Sequence, residues 1–161
     1  MKPIIDIKSD RMRYTKNTIS ATLSYVAILL NAFYFVSVYS TDVGTYFYKI
    51  DIGISVIYNL LFMLFVFLAS EGVKAYDYKF SSLLIALGVM QIVRIFGIPM
   101  TAYFTFIKLG TQYVQVMEFG QFILCVVCLV ASGATAIAGG VIGLVKTRRL
   151  RNYEKKIGVH K

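Results

Sequence analysis

The sequence predicts an all-α, polytopic integral membrane protein, a bundle of four transmembrane helices with the N and C termini in the cytoplasm. Three observations predict it. Hydrophobic residues fill 58% and charged residues only 16% of the 161 positions, where a soluble domain carries about a quarter charged. Those charges avoid four long apolar stretches, each near the roughly 20 residues that cross a hydrocarbon core of about 30 Å. The basic residues alternate between rich and poor segments, which is the pattern that sets membrane orientation.

Residues 1–18 form a basic cytoplasmic tail, with Lys2, Lys8, Arg11, Arg13 and Lys16 against Asp6 and Asp10. A single transmembrane domain is expected over 19–145, with spans at about 19–39, 52–70, 81–102 and 119–145. The first span is longer than a signal-peptide core and lacks a small-x-small cleavage site, so it is expected to be retained. The fourth is long enough to tilt or to project from the bilayer. A second basic cytoplasmic tail follows at 146–161.

The N-terminal tail holds five Lys or Arg, the loop after span one only Lys49, the next loop Lys74 and Lys79, and the third only Lys108. The C-terminal tail holds seven: Lys146, Arg148, Arg149, Arg151, Lys155, Lys156 and Lys161. The basic segments belong inside, so both tails and the middle loop are expected in the cytoplasm. Tyr39, Tyr46, Phe47, Tyr48, Tyr103 and Phe104 mark the outer interface, and Tyr14, Tyr76, Tyr78 and Phe80 the inner one. Residues 103–118 are expected as an aromatic-rich segment on the outer membrane surface, with a short hairpin around Gly110 as the alternative.

The net charge of +9 sits mainly in the tails. It points to anionic lipid headgroups of the bilayer rather than to nucleic acid, for which no basic-aromatic motif is present. Two cysteines and one histidine exclude a disulfide framework and a His/Cys metal site. No cofactor motif is found. An uncleaved short four-span chain fits a plasma membrane, bacterial in type.

Arg94 is the sharpest feature. A charge inside a span costs roughly 2.5–3.5 kcal/mol at the helix centre, so it is expected to face protein or water with a partner. Its depth in span three is about 20 Å from the inner end at 1.5 Å per residue, in the outer half. Asp51 and Glu118 are the acids within reach of a bidentate pair. Polar stripes accompany it: Asp51, Ser55 and Asn59 in span two, Gln91 and Arg94 in span three, Ser24, Ala27 and Asn31 in span one. The longest stripe is in span four: Glu118, Gln121, Cys125, Cys128, Ser132, Thr135 and Gly139. Polar and small faces turn toward other helices in lipid, so Arg94, Gln91, Asp51, Ser55, Asn59, Asn31, Glu118 and Gln121 are the candidate polar core. Their expected role is interhelical hydrogen bonding, with Arg94 as a structural clamp or snorkelling to the outer headgroups. The alternative is a solvated cavity or ligand site, with Arg94 binding an anionic group or forming a gating ion pair.

Gly139 and Gly143 form a GxxxG pair, which Ala131 and Thr135 extend at the same step, a face for close packing within the bundle or against a second subunit. Gly97 and Pro99 follow Arg94 and are expected to end the third helix. Cys125-Val-Val-Cys128 lies in span four. This placement resembles that of the vitamin K epoxide reductases, compact four-helix membrane proteins, and would imply thiol redox chemistry at those two residues. That family also uses an outer cysteine pair to shuttle electrons, and with two cysteines in all the relay is missing.

The expected function is a non-enzymatic subunit or accessory component of a membrane assembly, associating with another membrane protein or with itself. The alternative is a small transporter or channel component with an intramembrane Arg-centred site. Minor alternatives are a membrane thiol oxidoreductase and a holin-like pore former.

Overall fold

The computed structural model describes residues 5–39, 49–109 and 111–158, without the side chains of residues 39, 49–52, 107 and 109. Lys2, Tyr46, Phe47, Tyr48, Gly110 and Lys161 thus lie outside the described residues, as do the side chains of Tyr39, Lys49 and Asp51. The elements are α1 (Ile7–Met12), α2 (Thr18–Tyr39), α3 (Lys49–Lys74), α4 (Tyr78–Val93), a 3-10 turn (Arg94–Phe96), α5 (Ile98–Phe104), β1 (Phe106–Leu109), β2 (Gln112–Gln115) and α6 (Phe119–Ile157). Among the described residues four segments are long and apolar enough to cross a membrane: Thr18–Val38, Gly53–Lys74, Tyr78–Phe104 and Phe119–Ile157. They fit a transmembrane helical bundle.

Each long helix buries a seam. In α2 it runs Ser20, Ser24, Ala27, Asn31, Tyr34 and Val38, and in α3 Ser55, Asn59, Phe62, Val66, Ala69 and Val73. Steps of four and three keep such residues on one side of a helix packed against neighbours. The opposite faces are apolar and exposed, with Leu29, Phe33 and Val36 on α2 and Leu60, Leu64 and Phe67 on α3. A partly polar interior and an apolar exterior are features that suit a bundle to lipid.

Helix α6 is the spine, packed along both α2 and α4. Small residues permit it. A Cβ on Gly133 would stand 2.8 Å from the Gly88 carbonyl oxygen, and one on Gly88 would stand 2.8 Å from that of Gly133. A Cβ on Gly140 would meet the Ser81 carbonyl at 2.9 Å. The predicted GxxxG pair lies in the same interior, Gly139 against Ser20 and Leu23 and Gly143 against Ser81 and Val73. Ala131 and Thr135 are half-buried beside it. Ser132 donates to the Ala27 carbonyl at 2.8 Å, tying α6 to α2.

At one end of the bundle α6 runs on beyond the predicted span to Ile157, and Leu150 and Tyr153 are buried there. Helix α1 packs against this part of α6. Asp6 caps α1 by accepting from the Lys8 and Ser9 amides, and Arg149 donates to Asp6 at 2.9 Å and to Ser9 Oγ at 3.0 Å. The Tyr153 hydroxyl donates to Asp10 at 3.2 Å. Asn17 joins three helices at this end: its amide donates to the Lys74 carbonyl, its side chain to Ser20, and it accepts from Lys146 at 2.9 Å. Both described ends of the chain therefore lie at one end of the bundle, together with the α3–α4 turn. That turn is a Schellman motif: Asp77 N–H reaches the Gly72 carbonyl and Tyr76 N–H that of Val73, with Tyr76 left-handed at φ 58°.

The opposite end differs from expectation. Residues 106–109 and 112–115 pair as antiparallel strands, Phe106 opposite Gln115 and Leu109 opposite Gln112, which is the hairpin alternative for this segment. Its backbone pairs internally, and it is anchored by Gln115 donating to the Tyr103 carbonyl and by the Tyr103 ring stacked on Phe122 at 4.5 Å. The third helix ends before Pro99, as expected, but the span is interrupted there and not finished. It breaks at Gly97 and resumes as α5 with Pro99 in the first turn, the position where a missing N–H costs least.

Candidate functional site

The buried seam of α4 contains Ser81, Leu84, Leu87 and Gln91. One turn beyond Gln91 the α-helix ends at Arg94, which opens the 3-10 turn and whose carbonyl accepts from Gly97 N–H at 3.0 Å. The half-buried guanidinium turns into the bundle. Its Nη1 donates to Asn59 Oδ1 at 2.8 Å and to Asn31 Oδ1 at 3.3 Å, and its Nη2 donates to Ser55 Oγ at 3.3 Å. The guanidinium carbon lies over the rings of Tyr34 and Tyr58, 4.6 Å and 4.7 Å from their centroids. Desolvated cation–π contacts contribute about 2 kcal/mol each, and hydrogen bonds to a charged group about 1.5–3 kcal/mol. These contacts hold the charge among apolar helices, where an unsupported arginine is unfavourable.

A cation must face oxygen, so Arg94 fixes the Asn31 amide with Oδ1 toward it. Gln91 then presents its amide nitrogen to the same oxygen, at 2.6 Å. Asn31 Nδ2 and Gln91 Oε1, both fully buried, are left without a partner among the described residues. A donor and an acceptor thus stand unfilled beside the charge.

Arg94 also lines a cavity of about 440 Å³, whose described walls are Ile54, Ser55, Tyr58, Arg94, Gly97, Ile98 and Thr101. The volume falls in the range of ordinary ligand pockets. Gly97, Ile98 and Thr101, at the interruption of span three, form part of the cavity wall. Gly97 contributes no side chain, and Thr101 turns its hydroxyl to the Gly97 carbonyl at 2.9 Å.

Of the predicted polar core, the structure brings together Asn31, Ser55, Asn59, Gln91 and Arg94. Gln121 lies elsewhere, donating to the Ser37 carbonyl at 3.0 Å and so joining α6 to α2. Glu118 is exposed at the start of α6, and the ion pairs among the described residues, Arg13–Asp10, Lys74–Glu71 and Arg149–Asp6, do not include an Arg94–Glu118 pair. Asp51 belongs to α3, with its side chain outside the description. Cys125 and Cys128 are buried free thiols, Cys125 Sγ lying 3.8 Å from Ser37 Oγ. Among the described residues no group of three or more His, Cys, Asp or Glu could hold a metal ion.

Sequence reading overlooked Tyr34, Tyr58 and Thr101. The first two carry a usable signal, since Tyr34 follows Asn31 and Tyr58 follows Ser55 by three positions, the spacing that shares a helix face. No family model, curated protein or solved structure matches the chain.

Proposed function

We propose that the chain is a non-enzymatic four-span protein of a plasma membrane, with both tails in the cytoplasm, that binds an anionic group at Arg94 as a small transporter or channel component. The positive-inside distribution supports the orientation, and so does the meeting of α1 with the end of α6 through Asp6 and Arg149. The observation that carries the function is the Arg94 guanidinium, held by residues of α2 and α3 and lining a cavity. A role as a subunit of a larger assembly drew on the small face of span four. Gly139, Gly143 and Gly133 spend that face inside the bundle, which favours the binding role.

The test is thermal unfolding of purified protein in neutral detergent with inorganic phosphate, sulfate, acetate or anionic lipid, for the natural chain and Arg94→Gln. A ligand at about 100 times its dissociation constant adds about 2.7 kcal/mol to stability. At least one of these anions should raise the melting temperature of the natural chain and leave Arg94→Gln unmoved. Equal shifts in both proteins, or none in either, would refute the reading.

A further inference from the structure

We infer that the Arg94 cavity takes the anionic headgroup of an amphiphile, a phosphate or carboxylate carried on an acyl chain, which reaches it sideways from the outer leaflet. The inference rests on the reading of Arg94 as an anion site and names the ligand class for it. A free oxyanion such as phosphate offers the same chemistry to the guanidinium. Depth, wall chemistry and the surface beside the mouth favour the amphiphile.

Ile54 is the second residue of the candidate span Gly53–Lys74, and Thr101 stands three residues before the end of Tyr78–Phe104. The mouth is therefore at the level where headgroups meet acyl chains, and Arg94 lies on the order of 10 Å deeper at helical rise. The rim residues Ile54, Gly97 and Thr101 are exposed, whereas Ser55 is buried and Tyr58 and Arg94 are half-buried. Among the described lining residues Arg94 alone carries a charge, and Ile54, Ile98 and the Tyr58 ring supply apolar wall.

The apolar surface continues away from the mouth. Ile54, Ile57 and Leu61 are exposed on α3 at steps of three and four, so they share one face. Met90 and Val93 are exposed on α4. A hydrated anion arriving from water loses solvation against such walls. An amphiphile gains by laying its chain along them, while its headgroup reaches the cation. The cavity of about 440 Å³ suits a headgroup and the first methylenes, with the remaining chain outside.

The chain has no tryptophan, which gives a clean probe. Thr101→Trp puts a lone tryptophan, excited selectively over the tyrosines, on the mouth, Ile54→Trp puts one on the opposite rim, and Ile123→Trp places a control on an exposed position of α6. Each protein is reconstituted in phosphatidylcholine vesicles with a small fraction of brominated phosphatidylglycerol or brominated phosphatidylcholine. The two mouth probes should be quenched more by the anionic than by the neutral brominated lipid, and Ile123→Trp equally by both. Adding Arg94→Gln should abolish the difference, and inorganic phosphate should leave it standing. Equal quenching at both mouth probes, with phosphate stabilising the natural chain, would overturn lateral access and leave Arg94 an anion site reached from water. Equal quenching with no stabilisation by any anion would remove both readings.

Discussion

Arg94, in the 3-10 turn that follows α4, donates to the side-chain oxygen of Asn59 on α3 at 2.8 Å, closer than it stands to Asn31 on α2 and Ser55 on α3, both at 3.3 Å. Asn59 is fully buried and also donates to the Ser55 carbonyl one turn earlier at 2.9 Å. Its amide therefore links the α3 backbone to the cation, and Asn59→Ala breaks both links. The expected loss is about 1.5–3 kcal/mol, the scale for hydrogen bonds to charged groups. Chemical or thermal unfolding in detergent should show it exceeding the loss in Ser55→Ala, whose contact is longer at 3.3 Å. A smaller effect for Asn59→Ala would place the anchoring of Arg94 elsewhere.

The contact of α4 with α6 predicts which glycines tolerate a side chain. Gly133→Val pushes carbon against the Gly88 carbonyl and Ile92, and overpacking of this kind costs about 1–3 kcal/mol. Gly53→Ala meets nothing within 4 Å and should gain up to about 1 kcal/mol from helix propensity. Melting temperatures of the two variants should move in opposite directions.

Tyr76 supplies a third case. Its φ of 58° is left-handed, a conformation that costs a non-glycine residue about 1–2 kcal/mol. Tyr76→Gly keeps the Schellman turn and should raise stability by about 1 kcal/mol, as measured by unfolding. A fall would mean that the half-buried ring contributes more than the strain removes.

The tail clasp predicts a pH dependence. The Arg149 guanidinium, then the Ser9 hydroxyl, hold the Asp6 carboxyl at about 2, below its ordinary 3.8. A carboxyl lowered in the folded state stabilises fully above its ordinary value and loses that contribution as pH falls toward the folded one. Helix α1 should stay docked at pH 5 and loosen between about 4 and 2. Protease sensitivity of the N-terminal segment should follow that course, and Asp6→Asn should be sensitive already at neutral pH. Equal protection in Asp6→Asn would detach docking from this ion pair.

The long helices were readable because apolar runs and charge avoidance follow directly from the chemistry of lipid. The inward position of Asn31, Ser55, Asn59 and Gln91 follows the same rule, since a polar side chain in an apolar run has nowhere else to go. Other features depend on contacts that one strand of sequence does not carry. The strand pair of 106–109 and 112–115 has the composition of an interfacial aromatic segment, and only cross-strand pairing such as Lys108 with Tyr113 separates the two. Gly88 looks like an ordinary helix glycine until Gly133 is set against it. Tyr34 and Tyr58 read as apolar bulk, and their role appears only when Arg94 lies over both rings. The predicted end of span four at 145 marked the end of hydrophobicity, whereas the helix continues to Ile157 and meets α1 through Arg149 and Tyr153.

Asn59→Asp tests the central claim, that the Arg94 charge serves a ligand, most directly. The change is nearly isosteric and sets a carboxylate where Asn59 Oδ1 now receives the guanidinium at 2.8 Å, so Arg94 stays anchored while its charge is neutralised from within. Anion-dependent stabilisation, measured as the shift in melting temperature across phosphate, sulfate, acetate and phosphatidylglycerol relative to the same variant without anion, should vanish in this variant, whose lost donation to the Ser55 carbonyl sets a separate anion-free baseline. An undiminished anion shift in Asn59→Asp would contradict the claim and leave Arg94 as a clamp between helices.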